Sequence, residues 1–120
     1  MKIKAAVTNG QGQDFVLEEV ELAAPKANEV LVKIVATGVC HTDAVARDAA
    51  IAPLPAVLGH EGAGIVEEVG SGVTRFAKGD HVVLSFAHCG HCDNCLTGHP
   101  SVCETFNDLN FGGMHDDHTH

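Results

Sequence analysis

Four of the five cysteines, Cys89, Cys92, Cys95 and Cys103, stand at the spacing C-x2-C-x2-C-x7-C. Two residues between thiols let a turn aim both sulfurs at one point, and the third cysteine continues the same wrap. A fourth thiolate on the loop's return closes a tetrahedral site of the kind that structural zinc occupies. Gly90 and Gly98 fall where so tight a loop needs relief from backbone strain, and Pro100 stiffens its return. Spacing alone leaves open an iron–sulfur cluster on the same thiolates and a pair of local disulfides. His88, His91 and His99 could each replace a thiol, but with four cysteines present they are expected at the surface of the lobe.

The composition favours metal over disulfides. A secreted disulfide framework usually spreads an even set of cysteines along the chain, whereas this chain has five, four of them crowded together. Met1–Gly10 carries two lysines and no long apolar stretch, so it does not read as a secretion signal. No apolar run approaches the roughly 18–20 residues of a membrane helix. A soluble cytoplasmic protein is expected. Seven basic residues against sixteen acidic ones give a formal charge of −9, which repels phosphate backbones and anionic lipid, so neither nucleic acid nor membrane is an expected partner.

The elements that must position the lobe read mainly as strands. With five Phe and no Trp or Tyr, the core has to be built from Val, Ala, Leu and Ile, and the β-branched members favour sheet. Met1, Ile3, Ala5 and Val7 alternate with Lys2, Lys4 and Ala6 as in a half-buried strand. Asn9 to Gly12 signals a turn, and Phe15 to Leu22 predicts a second strand able to pair with the first. After the break at Pro25 to Asn28, Glu29 to Ala36 predicts a buried strand. A short helix is expected over Thr42 to Asp48 with Thr42 as its N-cap. Ile51 to Leu58, with Pro53 and Pro55, predicts an irregular connection. Gly59 to Gly72 reads as a glycine-punctuated strand, and the turn at Lys78 to Asp80 feeds a further buried strand, His81 to Phe86. Thr105 to His120 is polar and without periodicity. Short strands with tight turns suggest a small irregular β-barrel or sandwich, here a single domain over 1–120 with its cysteine lobe at about 88–104.

Gly59-His60-Glu61-Gly62-Ala63-Gly64, followed by Gly70 and Val73, is similar to the zinc signature of the zinc-dependent medium-chain alcohol dehydrogenases. Gly38-Val39-Cys40-His41-Thr42-Asp43 resembles their first zinc-ligand segment, and Lys78-Gly79-Asp80-His81-Val82 and the four cysteines follow in the family's order. The likeness covers roughly Met1 to Cys103 and implies a GroES-like barrel with a short helix and a zinc-binding cysteine lobe. It also implies that the lobe metal is zinc.

The same resemblance implies a second, catalytic zinc held by Cys40, His60 and a later cysteine expected beyond residue 120. An open fourth position lets such a zinc lower the pKa of a bound alcohol. Thr42 then matches the hydroxyl that takes the alcohol proton, Asp43 the acid that orients His60, Glu61 the carboxylate close behind the metal, and His41 a contact to the cofactor pyrophosphate. NAD(P) is implied as hydride acceptor and a small alcohol as substrate, and the first 50 residues resemble the aryl or benzyl alcohol branch. One departure concerns Val45, which stands where several members carry a histidine that completes a proton relay, so the relay here is absent or rerouted. No G-x-G-x-x-G follows a strand, so the nucleotide-binding domain is expected to lie outside this chain, and the 120 residues alone are expected to be inactive and prone to self-association. The tail His115-Asp116-Asp117-His118-Thr119-His120 is expected to lead into further loops rather than to serve as metal ligands. Two other readings compete: a zinc-stabilised GroES-like scaffold without chemistry, and a cysteine-rich electron-transfer or zinc-ribbon module. Cys40, Thr42 and His60-Glu61 argue against the scaffold, which has no use for an open metal site.

Overall fold

The computed structural model describes residues 1–112. Its strands form two three-stranded antiparallel sheets. In the first, β1 (Lys2–Thr8) lies between β2 (Val16–Glu21) and β4 (Ala56–Val57). The alternation read from the sequence decides the faces of β1: Ala5 and Val7 are buried, whereas Lys2, Lys4 and Ala6 are exposed. β4 interrupts the connection expected to be irregular between Ile51 and Leu58. Only Ala56 and Val57 pair there, against Thr8 and Val7, because Pro55 just before them has no N–H to give.

The second sheet has the order β3 (Val30–Thr37), β5 (Gly62–Val69), β6 (His81–Val83). Val66 in its middle strand is 1% exposed and is the largest fully buried side chain. Two expectations of buried strands are corrected here. The second half of β3 is open, with Ile34 48% and Val35 67% exposed. This strand bonds to β5 on one side only, and Ile34 faces Gly64 in the register, so no cross-strand side chain covers it. The strand expected over His81 to Phe86 stops at Val83, which is 79% exposed. Its partner β5 begins at Gly62, and the Leu84 N–H to Gly62 carbonyl bond of 2.9 Å is the last that β5 can supply.

Helix α1 (His41–Asp48) leaves β3 directly and buries Asp43 and Ala46. The turn between β1 and β2 holds its far end: Gly12 N–H donates to the Arg47 carbonyl, Gln11 Nε2 donates to the Asp48 carbonyl, and the Arg47 guanidinium sits 5.3 Å from the Phe15 ring centroid. Thr42 is not the N-cap. Cys40 is, and its N–H donates to Asp43 Oδ2 at 3.1 Å, so the side chain three residues inside satisfies one of the helix's orphan donors. The cysteine segment contains α2 (Asp93–Leu96) and a 3-10 turn at Pro100–Val102. A further helix, α3 (Phe106–Phe111), stands in the stretch expected to lack periodicity. Its six residues span less than two helical turns, so its apolar spacing is limited to a short i, i+3 signal.

The β3–β5 pairing fixes where chemistry can occur. Thr37 pairs with Gly62, and Gly38 N–H donates to the Glu61 carbonyl at 2.9 Å. Cys40, just beyond β3, and His60, just before β5, therefore emerge side by side. Leu84, leaving β6, bonds at the same end. Three strand ends thus deliver the segments at Cys40, His60 and Leu84–Ala87 to one region.

Candidate metal centres and the adjoining cleft

The Sγ atoms of Cys89, Cys92, Cys95 and Cys103 all lie within 4.8 Å of one another. The Cys89–Cys95 and Cys92–Cys103 pairs are each 4.0 Å apart, close to the edge of about 3.8 Å that a tetrahedron with 2.3 Å zinc–sulfur bonds requires. These separations are about twice the S–S bond of a disulfide, and all four thiols are free. Backbone geometry already serves thiolates: Cys92 N–H and His91 N–H both donate to Cys89 Sγ at 3.2 and 3.4 Å, and Cys89 N–H donates to Cys103 Sγ at 3.4 Å. Gly90 and Gly98 adopt φ of +79° and +85° in the turns that make this wrap, a region where a side chain would clash.

These bonds separate the acidities of the thiols. The Cys89 N–H, then the Thr105 hydroxyl, pull Cys103 down to about 6, while burial pushes Cys95 up to about 12. Cys92 is lowered, first by the Glu104 backbone. A bound cation would draw Cys95 into the anionic state as well. His88, His91 and His99 are all exposed, as expected, and none joins the four sulfurs.

The second cluster is Cys40, His60 and Glu61, whose ligand atoms likewise lie within 4.8 Å of one another. Asp43 is 8% exposed and organises the first two. Its Oδ2 takes the Cys40 N–H, and its Oδ1 lies 3.1 Å from His60 Nδ1. An ionised carboxylate only accepts, so Nδ1 carries the proton and Nε2 is left with its lone pair. Cys40 Sγ and Thr42 Oγ1 are 3.5 Å apart. The Thr42 hydroxyl, before His60, lowers the Cys40 pKa, and the Cys40 thiolate in turn raises that of His60. An anionic sulfur beside a proton-seeking imidazole is an electrostatic arrangement ready for a divalent cation. His41 stands exposed at the first residue of α1 and does not join this group.

Beside it opens a cleft of about 550 Å³ whose lining includes Thr42, His60, Leu84, Phe86, Phe106 and Leu109. Sequence reasoning missed its α3 wall. A signal was present, because Thr105-x-x-Asp108 is a helix-start pattern and Phe106 and Leu109 recur at i, i+3.

Residues 26–119 match the alcohol dehydrogenase GroES-like domain. The chain belongs to that family. It is 54% identical over 110 residues to geraniol dehydrogenase of Castellaniella defragrans, covering 92% of this chain and 30% of that protein. Among solved structures, benzyl alcohol dehydrogenase of Acinetobacter calcoaceticus superposes with a TM-score of 0.94 at 50% identity, over 100% of this chain and 33% of that one. An alcohol dehydrogenase zinc-binding domain protein from Burkholderia ambifaria gives a TM-score of 0.94 at 51% identity, over 99% of this chain and 32% of that one. The chain thus spans about a third of the length of the relatives it matches.

As a GroES-like domain the chain has the mainly strand fold that its sequence led one to expect. The four-cysteine lobe of this alcohol dehydrogenase domain has the donor set and spacing for zinc, and no sulfur pair in it is placed as a disulfide. No described helix is long and apolar enough to cross a membrane. The tail His115 to His120 lies outside the described residues.

Proposed function

We propose that this chain is the zinc-holding, proton-handling portion of an alcohol dehydrogenase that oxidises an alcohol to an aldehyde or ketone. The observation that carries this reading is the convergence of Cys40, His60 and Glu61 with Thr42 and Asp43 at the mouth of an apolar cleft. Two metal sites follow. Cys89, Cys92, Cys95 and Cys103 would hold a structural zinc, and Cys40 and His60, with Glu61 close behind, would hold a catalytic one. Zinc bound at the second site supplies Lewis acidity toward an alcohol oxygen.

The chain's own residues do the rest. Asp43 holds His60 in the tautomer that offers Nε2 and ties the Cys40 backbone to the same carboxylate. Thr42 Oγ1, beside Cys40 Sγ and exposed, takes the proton that the alcohol gives up as its own hydroxyl proton passes to solvent. Leu84, Phe86, Phe106 and Leu109 exclude water from the alcohol's apolar body. That lining, and relatives named for geraniol and benzyl alcohol, support a bulky unsaturated primary alcohol as substrate. NAD(P) is the proposed hydride acceptor. His41, exposed at the start of α1, is the proposed contact to its pyrophosphate.

The 120 residues alone are proposed to oxidise no alcohol, because the Cys40 group supplies a single thiolate. The exposed apolar residues Val35 and Val83 support contact with further polypeptide, including a second copy. The test is an assay of benzyl alcohol and NAD or NADP with a protein of the relatives' length carrying this chain. Zinc-dependent turnover that C40S abolishes supports the reading, and turnover that survives C40S sinks it.

A further inference from the structure

Helix α3 is tied to the cysteine lobe at both ends. At its start, Thr105 Oγ1 lies 3.5 Å from Cys103 Sγ, two residues after that cysteine. At its end, the Asn110 side chain meets the backbone of Ala87, two residues before Cys89. Asn110 Oδ1 accepts the Ala87 N–H at 2.9 Å, and Nδ2 donates to the Ala87 carbonyl at 2.9 Å and to the Phe106 carbonyl at 2.9 Å. A carboxamide has one carbonyl and two N–H donors, and all three groups are used here.

Between these ties the helix presents Phe106 and Leu109 to the cleft, and the Phe106 ring packs 5.5 Å from that of Phe86. The first and last cysteines of the lobe therefore flank the two anchor points of the cleft wall. A six-residue helix is too short to be stable by itself, so ties of this kind bear directly on its position.

We propose that Asn110 is a positioning residue through which the metal-bound cysteine lobe fixes the α3 wall of the alcohol cleft. The inference rests on the proposed function for the identity of the cleft's ligand, but not for the coupling itself. Metal in the lobe holds Cys89 and Cys103 at fixed separation, Ala87 and Thr105 follow as their near neighbours, and Asn110 transmits the first of these positions to the helix. The lobe zinc then shapes substrate choice without touching substrate.

Amide hydrogen exchange of the zinc-loaded 120-residue chain tests the coupling. In N110A, the Leu109 and Gly112 amides exchange at least tenfold faster, while those of Leu96 and Thr97 in the lobe stay within twofold. Stripping zinc from the wild-type chain with a chelator speeds the α3 amides at least to the N110A rate, and stripping it from N110A adds a clearly smaller factor at α3, the part carried through Thr105. If N110A fails to fold, N110D serves the same readings, since it keeps an acceptor for the Ala87 N–H and gives up both donors. Unchanged α3 exchange in the variant, or zinc removal that acts on α3 equally with and without Asn110, overturns the proposal.

In an active protein of the relatives' length, N110A raises the KM for benzyl alcohol at least fivefold and leaves that for ethanol within twofold. Equal changes for both alcohols would overturn a role in shaping the wall. Should the exchange results hold in a protein that oxidises no alcohol, the proposed function fails and the Asn110 link stands.

Discussion

Asp43 and His60 are joined at 3.1 Å through Oδ1 and Nδ1, while the other oxygen of Asp43 takes the Cys40 N–H. One buried carboxylate thus sets both the tautomer of one metal-ligand candidate and the backbone of the other. D43A is expected to weaken zinc binding at Cys40 and His60 by about 10–100-fold, with the four-cysteine lobe unaffected. Zinc competition against a chromophoric chelator resolves the two sites. An unchanged weaker site would count against this role for Asp43.

The Cys40–His60 pair predicts a definite pH response in the metal-free chain. The imidazole is raised above its ordinary 6.5, first by Cys40 and then by Asp43 through its charge. A raised folded-state pKa gives a contribution to stability that is full below the ordinary value and is lost as pH rises through the folded value. C40A should therefore move the His60 titration midpoint down toward 6.5, which a proton NMR titration reads directly. A midpoint that stays in place would show that the thiolate does not govern the imidazole.

How much of this was legible in the sequence depended on the range of the interactions. The lobe could be read because its ligands are local: Cys89 to Cys103 fold back on one another within one segment. The Cys40–His60 site could not be derived from spacing, since only the β3–β5 register brings those residues together, and the motif resemblance supplied it. Strand faces were readable in β1, where alternation is strict. They were misjudged in β3 and β6, where apolar runs suggested burial but Ile34 and Val83 lack a covering layer among the described residues. The Thr42 cap was misplaced because Asp43 reaches back to Cys40, a contact that puts the cap two residues earlier. Helix α3 was missed because long-range ties at Ala87 and Cys103, rather than its own periodicity, hold it in place.

Thr42 is exposed and caps nothing, so its removal should affect chemistry and spare the fold. In an active protein of the relatives' length, T42V is expected to lower kcat by about 10²–10⁴, with T42S close to wild type and thermal unfolding unchanged in both. Loss of folding in T42V, or full activity, would contradict a proton role at Oγ1.

Val45 lies on α1, three residues after Thr42, and is 39% exposed. A histidine there would sit one helical turn from the hydroxyl and could pass its proton to water. V45H should shift the pH–rate profile of the active protein and reduce its solvent isotope effect. An unaltered profile would mean that the proton already leaves by a route independent of this position.

The most direct test of the zinc assignment at the cysteine lobe is the zinc and iron content of the purified chain, measured without chelator in wild type and in C103S. The account predicts about one tightly held zinc per wild-type chain, as expected of a closed four-thiolate site. It predicts loss of that zinc in C103S and no iron in either. Iron in place of zinc, or equal zinc in the variant, would contradict it.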